Sequence, residues 1–210
     1  MADTDPDETR RLKSVDKAFD IVDLLRREGS CTLSEVSEQF DMPTSTAHLH
    51  LTTLVENGYV LREDNEYRCS LQFLRTAGEI RDRLPLFQAA RSEADALQEE
   101  FGEISNIATM EGGYMVRIYK SVNPESIDDR SPVGTHLYMH RTAMGKAILS
   151  SLDESVVDQI IETRGMPAKT ENTISTRAEL DAELAEIREQ EYAVNRGEHY
   201  GGVGAVGVPI

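Results

Sequence analysis

A chain of 210 residues is long enough for two compact domains, each with a core of its own. Its formal charge is −16, from 38 Asp and Glu against 22 Lys and Arg, so no partner is held by long-range attraction to a broadly basic surface. No run of about 18 apolar residues occurs and the acidic N-terminus has no apolar leader core, so a cytoplasmic chain with no membrane partner is expected.

In chain order, residues 1–12 are rich in Asp, Thr and Pro, lack an apolar period and read as a disordered acidic tail. Arg10, Arg11, Lys13 and Lys17 are the basic cluster of note, suited to phosphate or a minor groove and equally to a solvated helix start. A helix over 14–28 is predicted to bury Val15, Ala18, Phe19, Val22 and Leu25 and to stop at Gly29. Cys31 follows, and with Cys69 it makes only two cysteines, too few for a disulfide framework or a four-ligand zinc site. Thr32 and Glu35 form a T-x-x-E capping box that opens a short helix with Val36 and Phe40 inward.

After Asp41 and Met42, residues 43–58 read as a helix, with Pro43 in its first turn and Asn57-Gly58 as its stop. Ala47, Leu51, Leu54 and Val55 make one apolar stripe at helical period. Ser45, Leu49 and Thr52 land opposite, with Thr46 and His48 on the flanks. A solvated face would carry Lys and Glu spaced to pair across a turn; short hydroxyls and an imidazole suit close contact with a partner. The connection is as short as a helix-turn-helix needs, and residues 59–64 and 66–70 read as two strands turning at Asn65, a wing. A small helical bundle without a ligand would show the same features.

Residues 71–85 read as a linker helix. Phe73, Ala77, Ile80 and Leu84 recur as an a/d-like seam before Pro85, and Phe87, Ala90, Ala94, Leu97 and Phe101 continue a helical stripe beyond it. The period then changes. Strands are predicted over 104–111 and 114–121 around the two-residue hairpin Gly112-Gly113, and residues 124–132 are a polar, acidic loop. A strand over 133–138, helices over 143–149 and 153–163, and a helix opened by the capping box Thr176-x-x-Glu179 follow, then strands over 192–196 and 203–210.

The loop from His140 to Lys146 is the place to look for a ligand. A helix starting at Ala143 presents the N–H groups of Met144, Gly145 and Lys146, which favour a carboxylate or phosphate, and Gly145 admits a close approach. Gly145 could equally serve only helix-to-sheet packing. No catalytic constellation is complete. Gly145-Lys146 lacks the earlier Gly and the following Ser/Thr of a phosphate-binding loop, and His48 and His50 lie about 200° apart on one helix. His136 and His140 lack a third ligand, and Ser150, Ser151 and His199 have no nucleophile context, so neither enzyme, metal site nor cofactor is expected.

The residues 14–21 (Ser-Val-Asp-Lys-Ala-Phe-Asp-Ile), Leu33-Ser34-Glu35-Val36, 42–48 (Met-Pro-Thr-Ser-Thr-Ala-His) and 54–60 (Leu-Val-Glu-Asn-Gly-Tyr-Val) resemble the winged helix-turn-helix of the isocitrate-lyase-regulator (IclR) family. The likeness continues through 139–147 (Met-His-Arg-Thr-Ala-Met-Gly-Lys-Ala), 170–174, 192–195 and Glu198-His199, which look like the same family's effector-binding domain. The resemblance implies an α+β protein: a winged helix-turn-helix over 13–70, the linker helix, and a GAF-like effector domain over 86–210. It implies double-stranded DNA and a small-molecule effector as partners, in a homodimer or homotetramer.

Thr44, Ser45, Thr46, His48, Leu49 and Thr52 would then face the major groove, with Arg62 and Arg68 on the wing as backbone contacts or, alternatively, surface ion pairs. The effector pocket would take His140, Met144, Gly145, Lys146, Asn195 and Ala205. The sequence departs from the family in four places. Relatives often carry Arg at Leu49 and a basic residue at Thr44; some that bind small oxo-acids carry Asp and Cys at Asn195 and Ala205. The family also continues beyond Pro209-Ile210 with a loop and a last strand, so either the sheet is built differently or the chain is shortened, leaving a weak free edge.

Residues 1–84 carry 17 Asp and Glu against 11 Lys and Arg, and only five of the chain's basic residues are Lys. An acidic, Lys-poor protein points to a halophile, whose molar salt cuts the Debye length to about 3 Å and leaves short-range contacts to decide DNA binding. The expected function is an effector-responsive transcription regulator. The alternative is a winged-helix adaptor that docks protein or senses a metabolite without touching DNA.

Overall fold

The computed structural model describes residues 11–126 and 131–210. The expected acidic tail up to Arg10, and residues 127–130 of the acidic loop, lie outside the described residues. The protein is α+β and divides into two compact units, one ending at Ile80 and the other starting at Arg81.

The first unit runs α1 (Lys13–Glu28), β1 (Cys31–Thr32), α2 (Leu33–Gln39), α3 (Thr44–Glu56), β2 (Val60–Glu63), β3 (Glu66–Cys69) and most of α4 (Gln72–Asp82). Its three strands pair antiparallel in the order β1-β3-β2, and the β2–β3 hairpin is the wing. The Thr32 capping box forms as expected: its hydroxyl accepts from Glu35 N and its own N–H donates to the Glu35 carboxylate at 2.7 Å. The core joins Ile21, Leu24 and Leu25 of α1 to Val36, Ala47, Leu51, Val60 and Tyr67. Each large aliphatic side chain removed from water there stabilises the unit by about 1.5–3 kcal/mol.

One expectation about helix faces is corrected, in α1; the seam expected along α4 stays uncovered within the chain. In α1 the buried residues are Ile21, Leu24 and Leu25, whereas Val15 is 48% and Phe19 68% exposed. The helix carries two apolar stripes, and the small three-stranded sheet with α3 covers one of them. In α4 no residue is buried, and Leu71, Leu74 and Ile80 are exposed; of the expected seam only Phe73 finds a ring, Tyr59, at 5.0 Å.

The second unit contains α5 (Pro85–Phe101), β4 (Ser105–Glu111), β5 (Tyr114–Ser121), β6 (His136–Tyr138), a 3-10 turn (Met139–Arg141), α6 (Ala143–Ser150), α7 (Glu154–Arg164), α8 (Arg177–Gln190), β7 (Ala193–Arg196) and β8 (Gly204–Gly207). Pro85 starts α5 because its missing N–H has no intrahelical partner at that position. The β4–β5 hairpin turns on Gly112 and Gly113, both at positive φ, as a two-residue turn of the required hand demands. Strands β4, β5 and β6 make one antiparallel sheet, and β7 and β8 make another.

The strands expected at 133–138 and 203–210 are shorter than predicted. Gly134 has φ +86 and its N–H donates to Arg117 O, so that stretch is a turn before β6; Pro209 has no N–H with which to extend the β8 ladder. The core of this unit packs Met115, Leu137 and Met139 against Ala143, Ala147 and Leu149 of α6, with Val157, Leu180, Leu184 and Ile187 closing it. Helix α6 is covered on nearly all sides, which places its N-terminus at the meeting point of the 3-10 turn and both β7 and β8.

Candidate DNA-binding surface and effector site

Helix α3 keeps its apolar stripe inside, with Ala47 and Leu51 fully buried, and so turns its other face outward. Ser37 Oγ donates to Met42 O at 2.7 Å and fixes the turn that delivers α3, and Asp41 sits at φ 45 within it. Thr44, Ser45, Thr46, His48 and Leu49 are exposed, Leu49 at 68%, while Thr52 is half-buried with its hydroxyl 3.5 Å from His48 Nδ1. No side chain caps the N-terminus of α3 and no acidic residue lies in its first helical turn, so its first amides have no side-chain acceptor, although Asp41 stands in the turn before them.

The wing is less available than its sequence suggests. Arg68 is held by both carboxylate oxygens of Glu63, one Nε contact being 3.0 Å, and this pairing keeps the Glu63 carboxyl below its usual range. Of the two readings open for Arg68, the structure gives the surface ion pair. Arg62 donates from Nε to Asp64 O at 3.3 Å, is otherwise solvated, and lies over the Tyr67 ring.

In the second unit the expected effector residues come together around the start of α6. Asn195 donates from Nδ2 to Arg141 O at 2.7 Å and pairs with Ala205 across β7–β8. His140, in the middle of the 3-10 turn, is buried, with Nε2 3.3 Å from Pro167 O, an acceptor that fixes the Nε2–H tautomer. Burial pushes its imidazole down from 6.5 to about 4, the Pro167 bond working the other way and the Arg141 charge adding to the fall. Met144 is half-buried against the core.

The reasons for which Gly145 and Lys146 were expected at a ligand are corrected. Gly145 is close-packed by the protein's own backbone: a Cβ there would lie 2.3 Å from Met139 O. Its N–H is taken by Thr142 Oγ1 at 3.0 Å, and that of Lys146 by Thr142 O at 2.9 Å, leaving only Met144 N of the three named amides without a bond of this kind. The Lys146 ammonium is fully buried and its donors reach Glu183 and Glu198 at 2.6 Å and Val194 O at 2.7 Å. It braces α6 against α8 and the end of β7.

Sequence reading passed over Arg141 and Lys169. Arg141 lies 4.5 Å above the Tyr138 ring, and Lys169 Nζ lies 3.9 Å above the Tyr200 ring and 3.2 Å from His199 Nε2. The available signal was scarcity, since Lys169 is one of five lysines in the chain. Among the described residues no cluster of His, Cys, Asp and Glu could hold a metal ion, and no helix is long and apolar enough to cross a membrane.

Residues 14–64 match the IclR helix-turn-helix domain, and residues 79–210, more than half the chain, match the Bacterial transcriptional regulator IclR C-terminal domain. The chain belongs to the IclR family. Among its IclR relatives, the probable HTH-type transcriptional regulator ArcR of Halobacterium salinarum is 28% identical over 97% of this chain and 79% of its own length. The transcriptional repressor IclR of Escherichia coli is 26% identical over 91% of this chain and 72% of its own. The crystal structure of the Thermotoga maritima IclR superposes with a TM-score of 0.81 at 30% identity, covering 95% of this chain and 82% of that one. These IclR relatives are transcription regulators rather than enzymes, and this chain is a DNA-binding transcription regulator with an N-terminal helix-turn-helix and a C-terminal effector-binding domain.

Proposed function

We propose that the exposed hydroxyl and imidazole face of α3 enters the major groove and that a small, carboxylate-bearing effector bound around the 3-10 turn changes operator affinity. The carrying observation is the start of α3, uncapped by any side chain, with Thr44, Ser45, Thr46, His48 and Leu49 all exposed. Thr52, half-buried, supports His48, and Arg62 supplies the wing's backbone contact. A neighbour of the same fold from Microbacterium hydrocarbonoxydans, 21% identical, holds 4-hydroxybenzoate, a carboxylate, which supports a small-molecule role for this GAF-like domain.

The regulator acts in the cytoplasm as a dimer or higher even oligomer: a helix such as α4 with no buried residue has no reason to persist alone, and a second copy supplies the missing face. Coupling between effector and operator of about 1–3 kcal/mol is typical of such two-site proteins. The acidic composition and the Halobacterium salinarum relative support operation in molar salt.

A mobility shift with the protein's own upstream DNA in molar potassium chloride, with and without metabolites extracted from cells, tests the reading. A sequence-specific complex that responds to the extract is expected, and Ser45→Ala or His48→Ala should weaken it by about 1–3 kcal/mol if those groups read bases. An unchanged footprint with both substitutions moves the contact elsewhere, and absence of any complex shows that the upstream DNA does not hold the operator.

A further inference from the structure

We infer that Arg141 and Lys169, each seated on a tyrosine ring, are the charge-reading wall of the effector site and that its ligand is a small dianion. The inference rests on the effector reading of the second domain and adds to it the charge of the ligand and the two side chains that select it.

Three loops build this wall. The 3-10 turn is pinned from below by His140, buried on Pro167 O, and from the side by Asn195, which holds Arg141 O. The segment carrying Lys169 is tied to the segment after β7: Thr170 Oγ1 donates to Gly197 O at 2.8 Å and Thr173 Oγ1 to Glu198 O at 2.8 Å. Asn172 adds a bond to Arg196 O at 3.1 Å. Loops fixed by this many bonds present Arg141 and Lys169 in defined places rather than as solvated tails.

The charge balance points to a ligand. The neighbouring Lys146 has two carboxylates in contact, yet among the described residues neither Arg141 nor Lys169 has one within ion-pair distance, in a chain of 38 Asp and Glu. Arg141 Nε is buried with no hydrogen-bond partner, and burial lowers the guanidinium pKa, with the Tyr138 and Tyr200 phenols acting the other way. A buried donor left unmade is costly and calls for an acceptor. A planar guanidinium fork receives a carboxylate or phosphate through two parallel bonds, and an ammonium receives a second negative charge as a point contact. Two cations without a counter-charge among the described residues are neutralised by two negative charges on one small molecule. The aromatic rings behind them, Tyr138 under Arg141 at 4.5 Å and Tyr200 under Lys169 at 3.9 Å, shield one side of each head from water.

The test is calorimetric titration of the full chain in molar potassium chloride with malonate, succinate, glutarate and glycerol 3-phosphate, and with monomethyl succinate as the singly charged control. At least one dianion should bind about tenfold or more tightly than the control, the scale of one charge-assisted bond. Its length separates a dicarboxylate site from a phosphate site. Arg141→Met should lower that affinity about tenfold or more, Arg141→Lys should recover part of it, and Lys169→Met should bring the dianion down towards the control. Thermal melts that match the wild type confirm that the variants fold.

Equal binding of dianion and control, no binding of any dianion, or Arg141→Met binding as the wild type does, overturns the inference. If operator binding still answers to extracted metabolites in Arg141→Met, the effector reading stands without it; if no metabolite alters the wild type, both fall.

Discussion

His140 shows how one buried ring carries both structure and a pH dependence. In the unfolded chain its imidazole titrates near 6.5, while in the folded protein burial lowers it to about 4. Between those values the unfolded state binds the extra proton, so the stability due to keeping this ring neutral is complete above pH 6.5 and is lost as pH falls towards 4. Differential melting of wild type and His140→Gln should show the wild type losing more stability across that window, and parallel pH curves would refute the assignment. Gly145 is decided by the same crowding. A methyl group there meets Met139 O at 2.3 Å, so Gly145→Ala should destabilise the second unit by about 1–3 kcal/mol, the scale of an overpacked core, measured as a fall in the denaturant midpoint.

At the scale of elements, three helices each have a face that the chain by itself leaves exposed, for different reasons. Helix α3 turns out short polar groups, α1 turns out Val15 and Phe19, and α4 buries nothing. Polar groups suit a groove, whereas Leu74 and Ile80 at 70% and 60% exposure suit an apolar partner of the same kind. Leu74→Asp with Ile80→Asp should leave the first unit's melting within about 0.5 kcal/mol, because neither side chain is buried, while sedimentation shifts towards the monomer. A dimer of undiminished strength would place the subunit contact on another element.

For the whole molecule the governing quantity is the net charge of −16. At low salt a chain this acidic is repelled by phosphate from a distance; at molar salt that repulsion is confined to about 3 Å and hydrogen bonds in the groove decide the outcome. Operator affinity should therefore hold or rise between 0.2 and about 3 M potassium chloride. A steep fall, with the log–log slope of ordinary counterion release, would show that the acidic surface is no adaptation to salt.

Periodicity and capping chemistry are local, which is why α3, both capping boxes and the Gly112-Gly113 hairpin were legible from the residues alone. The stripe of α3 was read correctly because a single apolar stripe runs along that helix, Leu49 standing alone on the opposite face. The buried face of α1 was not, because two stripes compete and only the position of the sheet chooses between them. The fate of Lys146 and Gly145 was likewise tertiary: Glu183 and Glu198 lie 37 and 52 residues further along the chain from the ammonium they neutralise, and Met139 closes on Gly145 only when the 3-10 turn folds back. The sequence by itself determined which helices and turns form, since propensity and pattern act within a few residues. The tertiary structure alone decided which charges find a counter-charge among the described residues, as Lys146 does, and which lie on a tyrosine ring instead, as Arg141 and Lys169 do, because that depends on distances no spacing along the chain encodes.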